Sequence, residues 1–337
     1  MSVGRILSKI VGADNYSVFV TNRLMLRNYL EDLKLFRKYS IVFHKKDFKN
    51  KEADLILNYH GLEKGMLFSD MKPGFAEFRI RKLHQILKDQ EIIDHIAVSQ
   101  VKVGYQVMCK YYELHEEKGF DIENIYNREQ YEFYKSVLDQ EYKKGFEGIY
   151  RWTYEDFYRD SNAAFDQFAF SRKSIRDFTG EKIGREIIEN AVSLANSAPS
   201  VCNRQASNVY LVEDKNKIDA LLKIQGGFNG YTEKVSQLLI VTNDRKYYYT
   251  IGERNQLFID GGLYLMNLLY ALHFYHIANC PANWGKTIDA EKTLNHVIQL
   301  PESEKIICMV PIGIAAKTFR TTLSERRTIC ENFKILK

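Results

Sequence analysis

Residues 171–205 read SRKSIRDFTGEKIGREIIENAVSLANSAPSVCNRQ, and the fold follows from how this stretch is divided. It opens with a basic, hydroxyl-bearing group: Ser171, Arg172, Lys173, Ser174 and Arg176. A helix follows, since Ile187, Ile188, Ala191, Val192, Leu194 and Ala195 recur at amphipathic spacing. A polar turn closes it, with Ser197, Pro199, Ser200, Asn203 and Gln205. Two sets of donors on either side of one helix suit a ligand with a phosphate at one end and a hydrogen-bonding ring at the other. The arginine fork grips a phosphate through two bonds and a serine hydroxyl adds a third donor. Asn and Gln each present a donor and an acceptor, which is what reading the edge of a heterocycle requires. Taken alone, each set also has a structural reading. A basic loop before a helix is ordinarily solvated, and Pro, Ser and Asn are ordinary turn formers.

Downstream, short apolar strands alternate with helices. Residues 208–213 (NVYLVE), 237–242 (QLLIVT) and 305–313 (KIICMVPIG) have strand character. Helices are expected at 215–223, 255–275 and 290–298, with a turn through Cys280, Pro281, Ala282, Asn283, Trp284 and Gly285. The pattern predicts an α+β or α/β fold with helices covering the sheet. Gly226, Gly227 and Gly230 match no dinucleotide fingerprint and follow a helix, so they read as a flexible loop. Gly261 and Gly262 interrupt a long helix at about 1 kcal/mol each, which close approach of another helix or a ligand would explain.

Upstream, the chain reads as all-α. Leu24, Leu26, Tyr29, Leu30, Leu33, Leu35 and Phe36 recur at helical spacing, and further helices are expected at 53–60, 75–89, 92–118 and 127–138. Turns or loops are expected at 45–51 and 59–65, the latter carrying Gly61 and Gly65. Tyr105, Tyr111, Tyr112, Tyr131, Phe133 and Tyr134 form an aromatic stripe that reads as core packing rather than a stacking platform for bases. Four of the five prolines fall after residue 170. This contrast places a helical region at 1–165 and a second domain at 166–337, with the aromatic connector at 152–170 packed on the second.

Composition narrows the function classes. A net charge of +5 over 337 residues, without a concentrated basic face, argues against nucleic acid as partner. Five scattered cysteines without a CxxC pair argue against a disulfide framework or a metal site and suit a reducing compartment. The N-terminus lacks a signal peptide's apolar core, and no run reaches the roughly 18 apolar residues of a membrane span. The expected setting is cytoplasmic. No Ser-His-Asp or Cys-His arrangement has a persuasive spacing.

The order of these pieces resembles the nitroreductase family of FMN-dependent oxidoreductases over about residues 168–330, and the resemblance implies an α+β fold with a helix-covered mixed sheet, preceded by an all-α N-terminal region. The resemblance implies that Arg172, Lys173, Ser174 and Arg176 bind the FMN phosphate and ribityl chain. It also implies that Pro199, Ser200, Asn203 and Gln205 lie at the pyrimidine edge. Asn283, Trp284 and Gly285 would approach the reactive face, and Arg327 with its neighbour Arg326 would complete the phosphate site. FMN is the implied cofactor and NADH or NADPH the implied donor. The implied cycle is ping-pong through flavin N5, in a homodimer with the flavin at the interface, acting on a small-molecule acceptor. No side chain is then the catalytic group. Ala206 stands where the family usually has Pro, and Asn283-Trp284 replaces a common acidic-glycine pair, so substrate preference does not transfer. The motif of His60, Leu62, Glu63, Lys64 and Gly65 resembles that of longer members encoded beside polysaccharide-biosynthesis genes. A flavin oxidase that does not use nicotinamide, and a non-enzymatic scaffold with a degenerate flavin site, remain open alternatives.

Overall fold

The computed structural model describes residues 13–43 and 47–336. The N-terminal residues 1–12 and part of the turn expected at 45–51 lie outside the described residues. The chain forms two compact units: Met1–Tyr150 with Thr322–Lys337, and Arg151–Thr321.

The first unit is helical: α1 (Ala13–Tyr39), α2 (Phe48–Gly65), α3 (Glu77–Leu87), α4 (Gln90–Asp94), α5 (Ser99–Glu117) and α6 (Arg128–Leu138). Local chemistry sets their starts. Asp47 accepts from the Asn50 amide at the head of α2, and Asn127 with Gln130 forms a capping box on α6. The core joins Leu55, Leu62, Ile80, Leu83, Val107 and the expected tyrosines; of the stripe, only Phe133 is exposed. His84 lies in this core between the Tyr134 hydroxyl (2.6 Å) and the Ile125 carbonyl (3.1 Å). The expected loop at 59–65 is instead the last two turns of α2. Its glycines serve packing, because a Cβ on Gly61 would strike the Arg79 side chain and one on Gly65 the Phe75 ring. The single helix expected at 92–118 is broken into α4 and α5 by a turn at 95–98.

The second unit holds the sheet. Strands β2 (Ser207–Val212), β3 (Gln237–Asp244) and β6 (Glu304–Gly313) run side by side, and β4 (Ala278–Asn279) and β5 (Ala282–Asn283) both pair with β6. Every described pair is antiparallel, with Val209 opposite Val241 and Leu239 opposite Val310. β3 is buried through its first seven residues, which explains its unbroken apolar run. α9 (Arg185–Ala195) and α11 (Gln256–Phe274) cover one face, around Ala191, Leu239, Leu268 and Val310. α10 (Lys215–Gln225) and α12 (Ile288–Leu294) belong to a second cluster with Leu238, Ile240 and Met309. α11 is long and apolar enough to cross a membrane by composition, but half of it is buried in this layer. Gly261 lies where a Cβ would meet Ile307 of β6, so this glycine admits the strand to the helix; nothing stands near Gly262.

The units divide differently from the expected 1–165 and 166–337. Phe157 and Tyr158, on α7 (Tyr154–Tyr158), are buried in the second unit's core with Phe319, which draws the boundary back to Tyr150. β1 (Ile149–Thr153) pairs with β7 (Thr318–Thr322), and beyond β7 the chain belongs to the helical unit. There the Ser324 amide donates to Glu63 (3.3 Å) and Arg327 to Glu52 (2.7 Å).

Candidate functional site

α8 (Phe165–Ser171) delivers the basic segment, ending as Arg172 turns to φ −62°, ψ 121°. The segment is then pinned, since the Ile175 amide donates to the Asn279 carbonyl (2.9 Å) and Ile175 is buried. Just before it, the Ser171 hydroxyl and His273 Nε2 lie 2.7 Å apart. Burial, reinforced by the Arg172 charge, lowers His273 to about 3, so this imidazole is neutral and a hydrogen-bonding group only.

Arg176 carries the decisive observation. Its Nε and Nη1 atoms are buried and have no hydrogen-bond partner in the protein. A guanidinium withdrawn from water with idle donors is a costly arrangement that an anion would relieve. Further along, the Asp177 carbonyl accepts from the Ala316 amide (3.1 Å). Arg320 on β7 is lowered from its ordinary value by burial and then by the charge of Arg151, with Asp177 opposing. Arg151 and Arg320 therefore add positive potential within the same unit. Arg320 is one of the late arginines after the strand ending at Gly313 that the sequence offers to a phosphate, whereas Arg151 gives no signal there, because it lies on a strand remote from residues 171–176.

The polar turn is strained. Cys202, Asn203 and Gln205 adopt φ of 49°, 56° and 49°, a left-handed conformation uncommon for residues with a Cβ. Such outliers persist only where surroundings hold them, and they concentrate at functional sites. The Gln205 amide donates to Ser200 Oγ (2.9 Å), and the Gln205 side chain to Asn203 Oδ1 (3.1 Å). The Val201 amide donates to Asp260 of α11 (3.3 Å), and Arg204 is held by Glu253 through two bonds of 3.0 and 2.7 Å. Pro199, Ser200 and Gln205 join Asn196, Asp260 and Tyr264 around a cavity of about 230 Å³. Asp260 and Glu253 escaped sequence reading because carboxylates on or before a helix carry no signal until the turn folds back.

The remaining expected residues have separate positions. Arg172, Lys173, Ser174 and Arg176 do not line the turn's cavity, nor does Asn203. Trp284 is buried and its indole donates to Glu291 (3.2 Å), while the Asn283 carbonyl accepts from Gln225 (2.9 Å) and Gly285 abuts the Asn283 side chain. Arg326 is exposed. Arg327 belongs to the helical unit, where Glu52 (2.7 Å) and Glu331 (3.2 Å) neutralise it. In the His60–Gly65 motif, His60 Nδ1 meets Glu63 at 2.8 Å, and the fully buried Glu63 carboxylate also receives the Ser324 amide. No cluster of His, Cys, Asp and Glu suited to a metal occurs among the described residues, and all five cysteines are free thiols.

The second unit is thus an antiparallel, helix-covered sheet with the buried, unbonded Nε and Nη1 of Arg176 before its first long helix and a strained amide turn beyond it. Residues 169–314 match the model of the Nitroreductase family. Among solved structures, the chain is similar to a nitroreductase-like protein from Streptococcus mutans. The identity is 23%, over 51% of this chain and 98% of that one, with a TM-score of 0.44. It is also similar to an FMN-dependent nitroreductase from Clostridium difficile, at 17% identity over 44% of this chain and 86% of that one, with a TM-score of 0.39. No curated protein matches the chain.

Proposed function

We propose that the second unit is a flavin oxidoreductase that binds FMN, takes reducing equivalents from NADH or NADPH, and delivers them to a small-molecule acceptor. The observation that carries this reading is Arg176, whose buried nitrogens await an anion inside the segment matched to the Nitroreductase family. Its donor chemistry suits the FMN phosphate, with Arg172, Lys173 and Ser174 beside it in the chain. Arg151 and Arg320 add positive charge. Pro199, Ser200, Asn203 and Gln205 offer the donors and acceptors that a flavin pyrimidine needs, and Asn283, Trp284 and Gly285 stand for the turn at the reactive face. Bound FMN supplies the hydride chemistry at N5. The chain holds the phosphate, orients the ring, and supports negative charge with arginine and backbone donors.

The basic segment does not line the turn's cavity, and the reading places the flavin in a homodimer, with one copy's turn meeting the other's basic segment. α11 supplies a surface for it, because Phe258, Ile259, Leu263, Met266 and Phe274 are exposed along one helix. A tie to polysaccharide biosynthesis rests on the His60–Gly65 motif alone, and the free thiols suit a cytoplasmic setting.

The test is the visible spectrum of the purified protein, followed by anaerobic addition of NADH and NADPH. A yellow protein that bleaches with either nucleotide supports the reading. A colourless protein that takes up no added FMN overturns it, and a flavoprotein that neither nucleotide reduces points to an oxidase. Arg176→Ala should weaken FMN binding by about tenfold or more, the effect of losing a charge-assisted bond.

A further inference from the structure

No residue of α1 from Asp14 to Tyr39 is buried. The helix is tied to its own unit at its C-terminal end, where the Asn50 side chain of α2 donates to the Tyr39 carbonyl (3.1 Å). Successive residues of a helix are about 100° apart, which sets Phe19, Leu26, Tyr29, Leu30, Leu33 and Phe36 on one face about 120° wide. Each of the six is at least 50% exposed. An apolar stripe of this length left in water marks a surface that something covers.

The charges on α1 say what covers it. Around the same helix Arg23, Arg27, Lys34, Arg37 and Lys38 fall together along one edge of the stripe, whereas Asp14 and Asp32 fall along the other and Glu31 at the back. Lys34 meets Glu31 at 3.4 Å, but both side chains are exposed and such a pair contributes little. Near the end of the helix the cations also frame a groove. The Phe43 amide donates to the Ser40 carbonyl (3.1 Å), and this turn brings the Phe43 ring to 6.3 Å from Phe36 and 5.9 Å from the Arg37 guanidinium. Leu30, Leu33 and Phe43 floor a groove of about 630 Å³ whose other walls are Lys34, Arg37 and Lys38. An apolar floor under a cationic rim is the complement of an anionic lipid, which carries a phosphate above acyl chains. A second copy of α1 would instead set five more cations against three carboxylates.

We propose that α1 is an in-plane anchor for an anionic phospholipid bilayer. The stripe enters the boundary between headgroups and acyl chains, and the cationic edge reaches the phosphates with its stems along the apolar face. The helix lies on the membrane rather than spanning it, and this role does not rest on the flavin chemistry. In co-sedimentation, the full-length protein should bind vesicles of mixed phosphatidylglycerol and phosphatidylcholine, and added salt should release it by screening the exposed charges. Vesicles of phosphatidylcholine alone should bind it about tenfold more weakly or less. Leu26→Gln with Leu33→Gln removes apolar area at nearly unchanged helix propensity, and Arg37→Gln with Lys38→Gln removes two charges. Each pair should weaken binding to the mixed vesicles by about tenfold or more. If the leucine pair does not fold, as judged by circular dichroism, the Arg37 and Lys38 pair and the salt series decide. Absence of binding to the mixed vesicles, equal binding to phosphatidylcholine alone, or undiminished binding in the folded variants would each overturn the proposal. So would a concentration-dependent oligomer that the leucine pair dissociates in a protein that ignores vesicles, which would assign the stripe to a second copy.

Discussion

Arg327 donates to Glu52 at 2.7 Å, joining the C-terminal segment to the second helix across most of the sequence. Glu52 is almost wholly buried, and Glu331 shares the same guanidinium at 3.2 Å. A cation so placed is already paired, and we expect its part to be structural. Arg327→Ala should destabilise the helical unit by about 1–2 kcal/mol, since the buried Glu52 loses one charge-assisted bond and keeps its pairing with Lys49 at 3.2 Å. FMN affinity should change much less than in Arg176→Ala. Urea unfolding and flavin titration of both variants measure this. A tenfold loss of FMN binding in Arg327→Ala at unchanged stability would restore Arg327 to the phosphate site.

The turn at 200–205 makes a second case. The Arg204 guanidinium bonds Glu253 twice and lies over the rings of Tyr248 (5.2 Å) and Tyr249 (5.3 Å). Lysine keeps the charge but neither the fork nor the stacking plane. Arg204→Lys should therefore loosen the left-handed residues, speed proteolysis within 200–205 and weaken flavin binding severalfold. The melting temperature should hardly move, because an ion pair near the surface contributes little to global stability. Unchanged proteolysis and affinity would show that the strain is held by Asp260 alone.

Acid should act on both units through buried histidines. Burial lowers His84 to about 4 and His273 to about 3, from an ordinary 6.5. A depressed value means that the unfolded chain takes up the proton first. The contribution is complete above pH 6.5 and is lost as pH falls through 4 and 3. His84→Asn should flatten the stability-pH curve between 6.5 and 4, as read from urea midpoints at several pH values.

Glu331 extends the same logic to lower pH. Burial would raise it, but bonds from Ser99, Thr328 and Arg327 outweigh that effect and hold it at about 2, against an ordinary 4.5. Its contribution is present above pH 4.5 and disappears as pH falls through 2. Glu331→Gln should remove that component, and an unchanged acid limb in urea unfolding would contradict the assignment.

Gly261 is a packing test. A Cβ there would lie 2.6 Å from Ile307 Cγ1. Gly261→Ala should cost about 1–3 kcal/mol through overpacking, despite alanine's better helix propensity. Ile307→Val in the same chain should recover part of the loss, which thermal melts of the single and double variants would show.

The sequence by itself determined what depends on near neighbours. The runs of β2, β3 and β6, the spacing of α9 and α11, the Asn127–Gln130 capping box and the tyrosine core are all local patterns of apolar period and side-chain capping. The segment at Arg172–Arg176 and the turn at Pro199–Gln205 could be singled out for the same reason. Only the tertiary structure decided what depends on distant chain meeting. Gly61 and Gly65 look like loop residues until Arg79 and Phe75 are seen to require their missing Cβ atoms. The pairing of Arg327 with Glu52 has no signal in the sequence. Arg151 gains meaning only when β1 and β7 pair. Periodicity records which side of an element is apolar, whereas charge pairing, strain and close approach are set by residues that no sequence window contains.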